Sequence, residues 1–148
     1  MIIKSFEINK IELDQNKLVL LYGQNNGFKN DTLKNLIKSK KEVFNYDEKE
    51  ILDNSYSFLE QIVSRSLFEE EKTIIINRAT DKLLKIIEEI DLKKIDDIKI
   101  LILANNLEKR SKLRVFFEKH KIIYAFLFIQ IITKHSQELR IIFLRNLK

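Results

Sequence analysis

The residues best suited to nucleotide chemistry lie in one turn, Gly23-Gln24-Asn25-Asn26-Gly27-Phe28-Lys29-Asn30, between an apolar run and a helical pattern. A phosphate-binding loop at that place reads G-x-x-x-x-G-K-[ST]. Bare backbone must wrap the phosphates, a lysine must reach them, and a hydroxyl must hold magnesium. Counted from Gly23, Lys29 matches, but Phe28 takes the place of the second glycine and Asn30 that of the hydroxyl. A phenylalanine obstructs close backbone approach, and an amide is a poor substitute for a metal-binding hydroxyl. Neither Ile74–Asn77 nor Ile100–Ala104 ends in an acidic residue that would hold the ion. Gly23, Gly27, Phe28, Lys29 and Asn30 therefore read as a degenerate phosphate loop, with the architecture kept and the chemistry lost.

Other chemistry is scarce. His120 and His135 stand alone, there is no cysteine, and no Ser-His-Asp arrangement can be argued from the spacing. We expect no catalytic residue, no metal site and no cofactor. Two stretches suit partners better than substrates. Lys109, Arg110 and Lys112, with Arg114, put four cations in six positions directly after the most apolar strand pattern. Loops at the carboxyl ends of strands face the functional edge of an open α/β sheet. This run suits an acidic partner or phosphates, and it equally suits the exposed face of a helix. In the second stretch, Ser66-Leu67-Phe68, two bulky apolar side chains are followed at once by Glu69, Glu70 and Glu71. Leu67 and Phe68 either finish the core face of a helix or stand proud for a partner's pocket, with the glutamates keeping the corner soluble. Composition leaves both open.

The elements that must position these residues follow a repeating pattern. Leu18 to Tyr22 is a short apolar run ending at Gly23. Leu33, Leu36 and Ile37 then recur at helical spacing and predict a helix over 28–39. Strand, glycine turn and helix open a parallel α/β sheet. Glu42 to Tyr46 reads as extended, and Asp47 as the cap of a short helix reaching Leu52. Ser55 reads as the cap of a helix carrying Phe58, Leu59, Ile62 and Val63 on one face. Thr73 to Ile76 makes the next strand, and Leu83, Leu84, Ile86, Ile87 and Ile90 a helix from near Asp81. Ile98 to Ala104 is a strand without alternation, as expected when both faces are covered by helices. A helix over 109–120 and a strand over 122–126 complete the series. Right-handed crossovers then give an open parallel sheet flanked by helices.

At 148 residues the chain is about one domain long. Apolar residues make up 45% and charged residues 33%, a globular rather than a disordered balance. The absence of cysteine and of a secretory signal pattern, with no apolar run approaching a membrane span, leads us to expect a cytoplasmic protein without a membrane partner. The charge of +5 is uneven: residues 1–106 carry 17 basic and 19 acidic side chains, residues 107–148 carry 10 and 3. A phosphate-seeking face would lie late in the chain. The abundance of Ile, Lys and Asn, with no proline, is also what an AT-rich gene would give.

Three blocks taken together resemble the delta subunit of the bacterial DNA polymerase III clamp loader. They are Leu20-Leu21-Tyr22-Gly23-Gln24-Asn25-Asn26-Gly27, Ser66-Leu67-Phe68 before a lysine and a strand, and Leu107-Glu108-Lys109-Arg110-Ser111-Lys112-Leu113. The resemblance runs from the N-terminus to about Phe126. It implies the family's first domain, an AAA+-like, P-loop-NTPase-like module with a degenerate nucleotide site. It also implies a role: binding the ring-shaped sliding clamp (the beta subunit) through a hydrophobic wedge, to which Ser66, Leu67 and Phe68 correspond, and helping to open the ring for loading on DNA. ATP would be hydrolysed by partner subunits of the polymerase holoenzyme, and DNA met only indirectly. Arg65 stands where relatives often have a further apolar residue. On this resemblance we expect the family's lid and collar domains to be absent, and residues 127–148 depart from its pattern. Shifted by one reading frame, Phe128 onward is compatible with the family's continuation, so a frameshift is our expectation for this tail; early stop codons in that frame would exclude it. The rival readings are a nucleotide-binding protein using the Gly23 turn and a basic nucleic-acid-binding module.

Overall fold

The computed structural model describes residues 18–38, 40, 42–63, 72–93, 98–119 and 125–128. Five parallel strands form one sheet: β1 (Leu18–Gly23), β2 (Glu42–Asp47), β3 (Lys72–Ala79), β4 (Ile98–Ala104) and β5 (Ala125–Phe128), in the order β2-β3-β4-β1-β5. The connecting helices are α1 (Asn26–Ile37), α2 (Glu48–Asp53), α3 (Ser55–Val63), α4 (Leu84–Leu92) and α5 (Lys112–Lys119). A 3-10 turn, Asp81–Leu83, leads into α4. No helix among the described residues is long and apolar enough to cross a membrane.

The continuous apolar runs of β1 and β4 become the centre of the sheet, where both faces are covered. Leu18, Leu20 and Tyr22 point to one face and Val19 and Leu21 to the other, all buried. The larger core lies on the first face. There Ile74, Ile76, Ile100 and Ile102 meet Ile51 of α2, Phe58 and Ile62 of α3, Ile86, Ile87 and Ile90 of α4, and Leu113, Phe116 and Phe117 of α5. On the second face Val19, Leu21, Ile75 and Leu101 pack against Phe28, Leu33, Leu36 and Ile37 of α1. The expected helical spacings thus mark the faces that are buried, which is the hydrophobic gain that holds short helices on a sheet.

Several boundaries differ from the sequence reading, each for a local reason. Ser55 is the first residue of α3 rather than its cap; the Phe58 amide donates to the carbonyl of Asn54. Asp47 does cap α2, in a capping box in which its carboxylate accepts from Lys49 while Glu50 accepts from the Asp47 amide. The helix expected from Lys109 begins at Lys112. Asp81 accepts from Ser111 Oγ at 2.5 Å and from the Leu113 amide at 3.0 Å, and Ser111 Oγ accepts from the Arg114 amide. This pair closes the helix N-terminus three residues late, so Lys109 and Arg110 sit in a turn and are not helix-face residues. Strand β5 is described over Ala125–Phe128; residues 122–124 of the expected strand, and the tail over 129–148, lie outside the described residues.

Burial pushes the Asp81 carboxyl up, but hydrogen bonds from Ser111, Leu113 and Lys112 together outweigh it and hold it below its ordinary value. A carboxyl depressed in the folded state contributes stability that is full above its unfolded pKa and lost as pH falls through the folded one. Asp81→Ala is therefore expected to cost about 1 kcal/mol at neutral pH, the usual worth of a helix cap for a carboxylate this exposed. The difference from wild type should shrink below about pH 4. Urea denaturation of both proteins across that range checks it.

Candidate functional site

In the observed strand order, β1 leads across to the far edge through α1, whereas β4 leads over β1 to β5 through α5. The carboxyl ends of β1 and β4 are thus the switch point at which open α/β sheets take their ligands. The Gly23 turn sits there. Gly23 has a φ of 130°, a conformation that favours glycine, and its amide donates to the carbonyl of Asn105 just beyond β4 at 2.9 Å.

The groups that would cradle a phosphate are used internally. The Asn25 side chain accepts from the Phe28 amide at 3.0 Å, and the Asn25 carbonyl accepts from the Lys29 amide at 3.1 Å. An amide oxygen thus stands at the start of α1, where an anion would otherwise meet the helix dipole. Phe28 is packed against the second core face. Lys29 turns inward: it is 5% exposed, and its ammonium donates to the carbonyl of Ala104 at 2.8 Å. Burial lowers its pKa from the ordinary lysine value. Asn30 is exposed at the solvent face of the helix.

Acidic groups near the switch point are committed as well. The strand β3 ends in Asn77, Arg78 and Ala79, and the Asn77 side-chain Nδ2 donates to the carbonyl of Tyr46. Asp81 caps α5, Asp47 pairs with Arg78, and buried Glu48 accepts from the amide and hydroxyl of Thr80 at 2.6 and 2.9 Å. No group of three or more metal-ligating side chains occurs among the described residues.

Gly27 adds a simple check on the loop. A Cβ there would meet Asn25 Oδ1 at 3.6 Å, an ordinary contact, and the residue lies in the first turn of α1. Gly27→Ala is expected to stabilise the protein by about 0.5–1 kcal/mol, because alanine loses less conformational freedom on folding. This appears as a Tm raised by roughly 1–4 °C in a thermal melt.

The sequence reading missed three things at this edge: Asn25 as the internal cap, the pairing of Lys29 with Ala104, and Arg78. The first had a signal, an Asn three residues before a helical amide. The second joins residues 75 apart and had none. Arg78 adopts φ 58°, unusual for a residue with a side chain, beside a shift in the β3–β4 register between Ile76 and Ala79. Of the other expected site residues, Lys109, Arg110 and Lys112 are exposed beside this edge. Ser66, Leu67 and Phe68 lie outside the described residues.

Comparison with known proteins identifies the lineage. The family model for "DNA polymerase III, delta subunit" matches residues 19–126. The chain belongs to that family. Its fold is an open parallel α/β sheet flanked by helices, and the family match supports a role in the clamp loader of DNA replication. No curated protein matches the chain. Among solved structures it is similar to the crystal structure of the DnaC helicase loader, at 11% identity and a TM-score of 0.45, over 82% of this chain and 84% of that one. A likeness of that degree bears on nothing further.

Proposed function

We propose that this delta-family chain is a clamp-contacting module that binds the sliding clamp through Ser66, Leu67 and Phe68 and helps to open the ring. The observation that carries the reading is the family match, which spans the Leu67-Phe68 block and the degenerate Gly23 turn together. With Asn25 and Lys29 bound internally, the turn offers nucleotide little, which leaves contact between proteins as the work of this domain. The residues that bracket the block support it. Ile62 is in the last turn of α3, and Lys72 opens β3 opposite Glu42 and Ile98, at the amino edge of the sheet. The Gly23 turn is at the opposite, carboxyl edge. A bulky aliphatic–aromatic pair is the common anchor of an interface. In this reading, ATP is hydrolysed by other loader subunits, and the chain's partners are the clamp and those subunits.

The test is affinity for the purified cognate clamp, measured for the wild type and for Leu67→Ala/Phe68→Ala. Unchanged affinity in the double variant sinks the assignment. The rival nucleotide reading has its own readout: Mg-ATP binding that disappears on replacing Lys29.

A further inference from the structure

One edge of the sheet is formed by β2, and among the described residues no strand lies beyond it. Proteins commonly blunt such an edge with lysine, proline or a bulge. Between Glu42 and Asp47 there is no lysine or proline, and the register against β3 runs unbroken from Glu42 beside Lys72 to Asp47 beside Asn77. The direction of the amides can be followed from the end of the strand. The Asp47 amide points away from β3, to the Glu50 carboxylate at 2.8 Å. The Tyr46 carbonyl of the same peptide unit accepts from the Asn77 side chain on the β3 side. Amides alternate along a strand, so the Asn45 N–H and C=O also face outward, away from the ladder.

Side chains make this edge selective. Phe44 is 41% exposed. Two residues on, Tyr46 and Asn45 border an open cleft of about 420 Å³, with Glu50, Asn54 and Ser57 on its polar side. Its aromatic wall is fixed: Tyr46 meets the Phe58 ring edge to face at 5.1 Å, and its hydroxyl donates to Gln61 at 3.2 Å. Glu50 gives one oxygen to the Asp47 amide, and the other has no hydrogen-bond partner among the described residues. The surroundings are acidic. Residues 42–63 carry six acidic side chains and one basic, Lys49, in a chain of net charge +5. Arg78 pairs with Asp47 and Thr80 holds Glu48, which leaves Glu42, Glu50, Asp53 and Glu60 without an ion-pair partner among the described residues. A carboxylate, neighbouring amide and hydroxyl oxygens and an aromatic wall are the groups a planar guanidinium uses.

We propose that the β2 edge takes an extended segment of a partner protein as an added strand. An arginine of that segment enters the cleft beside Tyr46 and Glu50, and an apolar side chain two positions away lies against Phe44. Backbone hydrogen bonds to Asn45 supply the pairing, and the two side chains supply the selectivity. The proposal rests on neither the clamp reading nor the Gly23 turn.

The experiment titrates the isotopically labelled full chain with the blocked peptide acetyl-Thr-Arg-Thr-Phe-Thr-Arg-Thr-amide, followed by NMR amide shifts. The peptide reads the same in both directions, so with its phenylalanine at Phe44 an arginine faces Tyr46 whichever way the strand runs. Saturable shifts are expected along β2 and the start of α3. Glu50→Gln keeps an oxygen for the Asp47 amide but removes the charge, and should weaken binding about ten-fold, as loss of a charge-assisted hydrogen bond does. Asn45→Pro removes the outward amide where an edge strand tolerates proline, and should abolish binding with far-UV circular dichroism unchanged. Leu67→Ala/Phe68→Ala should bind the peptide as the wild type does, so failure of the clamp reading would leave this one standing. No saturable binding overturns the proposal, and so does binding by Glu50→Gln equal to that of the wild type. Equal binding of a peptide with both arginines replaced by glutamine overturns arginine as the recognised side chain. Self-association of the chain that Asn45→Pro abolishes assigns the edge to a second copy and overturns the partner segment.

Discussion

Leu67→Ala/Phe68→Ala is expected to weaken clamp binding by at least about a hundred-fold. Burying one leucine or phenylalanine side chain is worth about 1.5–3 kcal/mol, so a pair buried at a partner's surface contributes about 3–6 kcal/mol before the costs of ordering the interface. A loss of roughly 2.8 kcal/mol is a hundred-fold in affinity. The same variant separates contact from core. If the pair belongs to the interface, urea denaturation should find the variant within about 0.5 kcal/mol of wild type, as for other surface changes. If the pair is buried in the fold, truncating both side chains costs several kcal/mol of stability, since each large-to-small core change costs about 2–5 kcal/mol. Loss of binding with stability retained supports the proposed clamp contact. Loss of both supports a core role, and retained binding removes the contact altogether. Arg65→Leu is a useful companion, because a further apolar side chain beside the pair should tighten the contact.

Lys29→Ala is expected to destabilise the free protein by about 2–4 kcal/mol. In a working phosphate loop the lysine waits for nucleotide, and its removal affects binding more than folding. Here Lys29 is buried and its ammonium is the donor to the Ala104 carbonyl. Alanine leaves a cavity where the stem packed and an unsatisfied carbonyl at the end of a central strand, penalties of about 1–3 kcal/mol for the polar group alone. Lys29→Met keeps most of the stem and isolates the polar part of the loss. The pH dependence has a definite sign. Burial lowers the pKa of Lys29 in the folded state. Between that lowered value and the unfolded value of about 10.4, the unfolded chain binds more protons, so stability rises with pH. The advantage of wild type over Lys29→Met should therefore grow as pH rises through that window. Urea denaturation of the three proteins, with and without Mg-ATP, reads all of this. A neutral Lys29→Ala whose wild type is stabilised by Mg-ATP would restore the nucleotide-binding reading.

Much of the framework was legible because its causes are local. The unbroken apolar runs of Leu18–Tyr22 and Ile98–Ala104 can be buried only on both faces, which requires a helix-covered parallel sheet. The spacing of Phe58 and Ile62, or of Ile86, Ile87 and Ile90, marks a helix face whatever lies opposite. The defects of the Gly23 turn were visible as residue types, since Phe28 and Asn30 lack the groups that phosphate and magnesium require.

Tertiary structure decided what those residues do instead. Strand order cannot be read from periodicity, because the same runs could be threaded in several orders. The pairing of β1 with β4 puts Gly23 beside Asn105 and lets Lys29 reach Ala104. The start of α5 moved from Lys109 to Lys112 because Asp81, some thirty residues earlier, supplies a cap that no local window contains. That shift put Lys109 and Arg110 in a turn instead of on a helix face, and Arg110 lines an open cleft together with Lys82 from the turn after β3. Side-chain chemistry and spacing are local, so they alone set the two faces of the sheet and the failure of the phosphate loop. The convergence of cations at the carboxyl edge, and the closing of the loop from within, came only from contacts between distant segments, since those depend on which strands become neighbours.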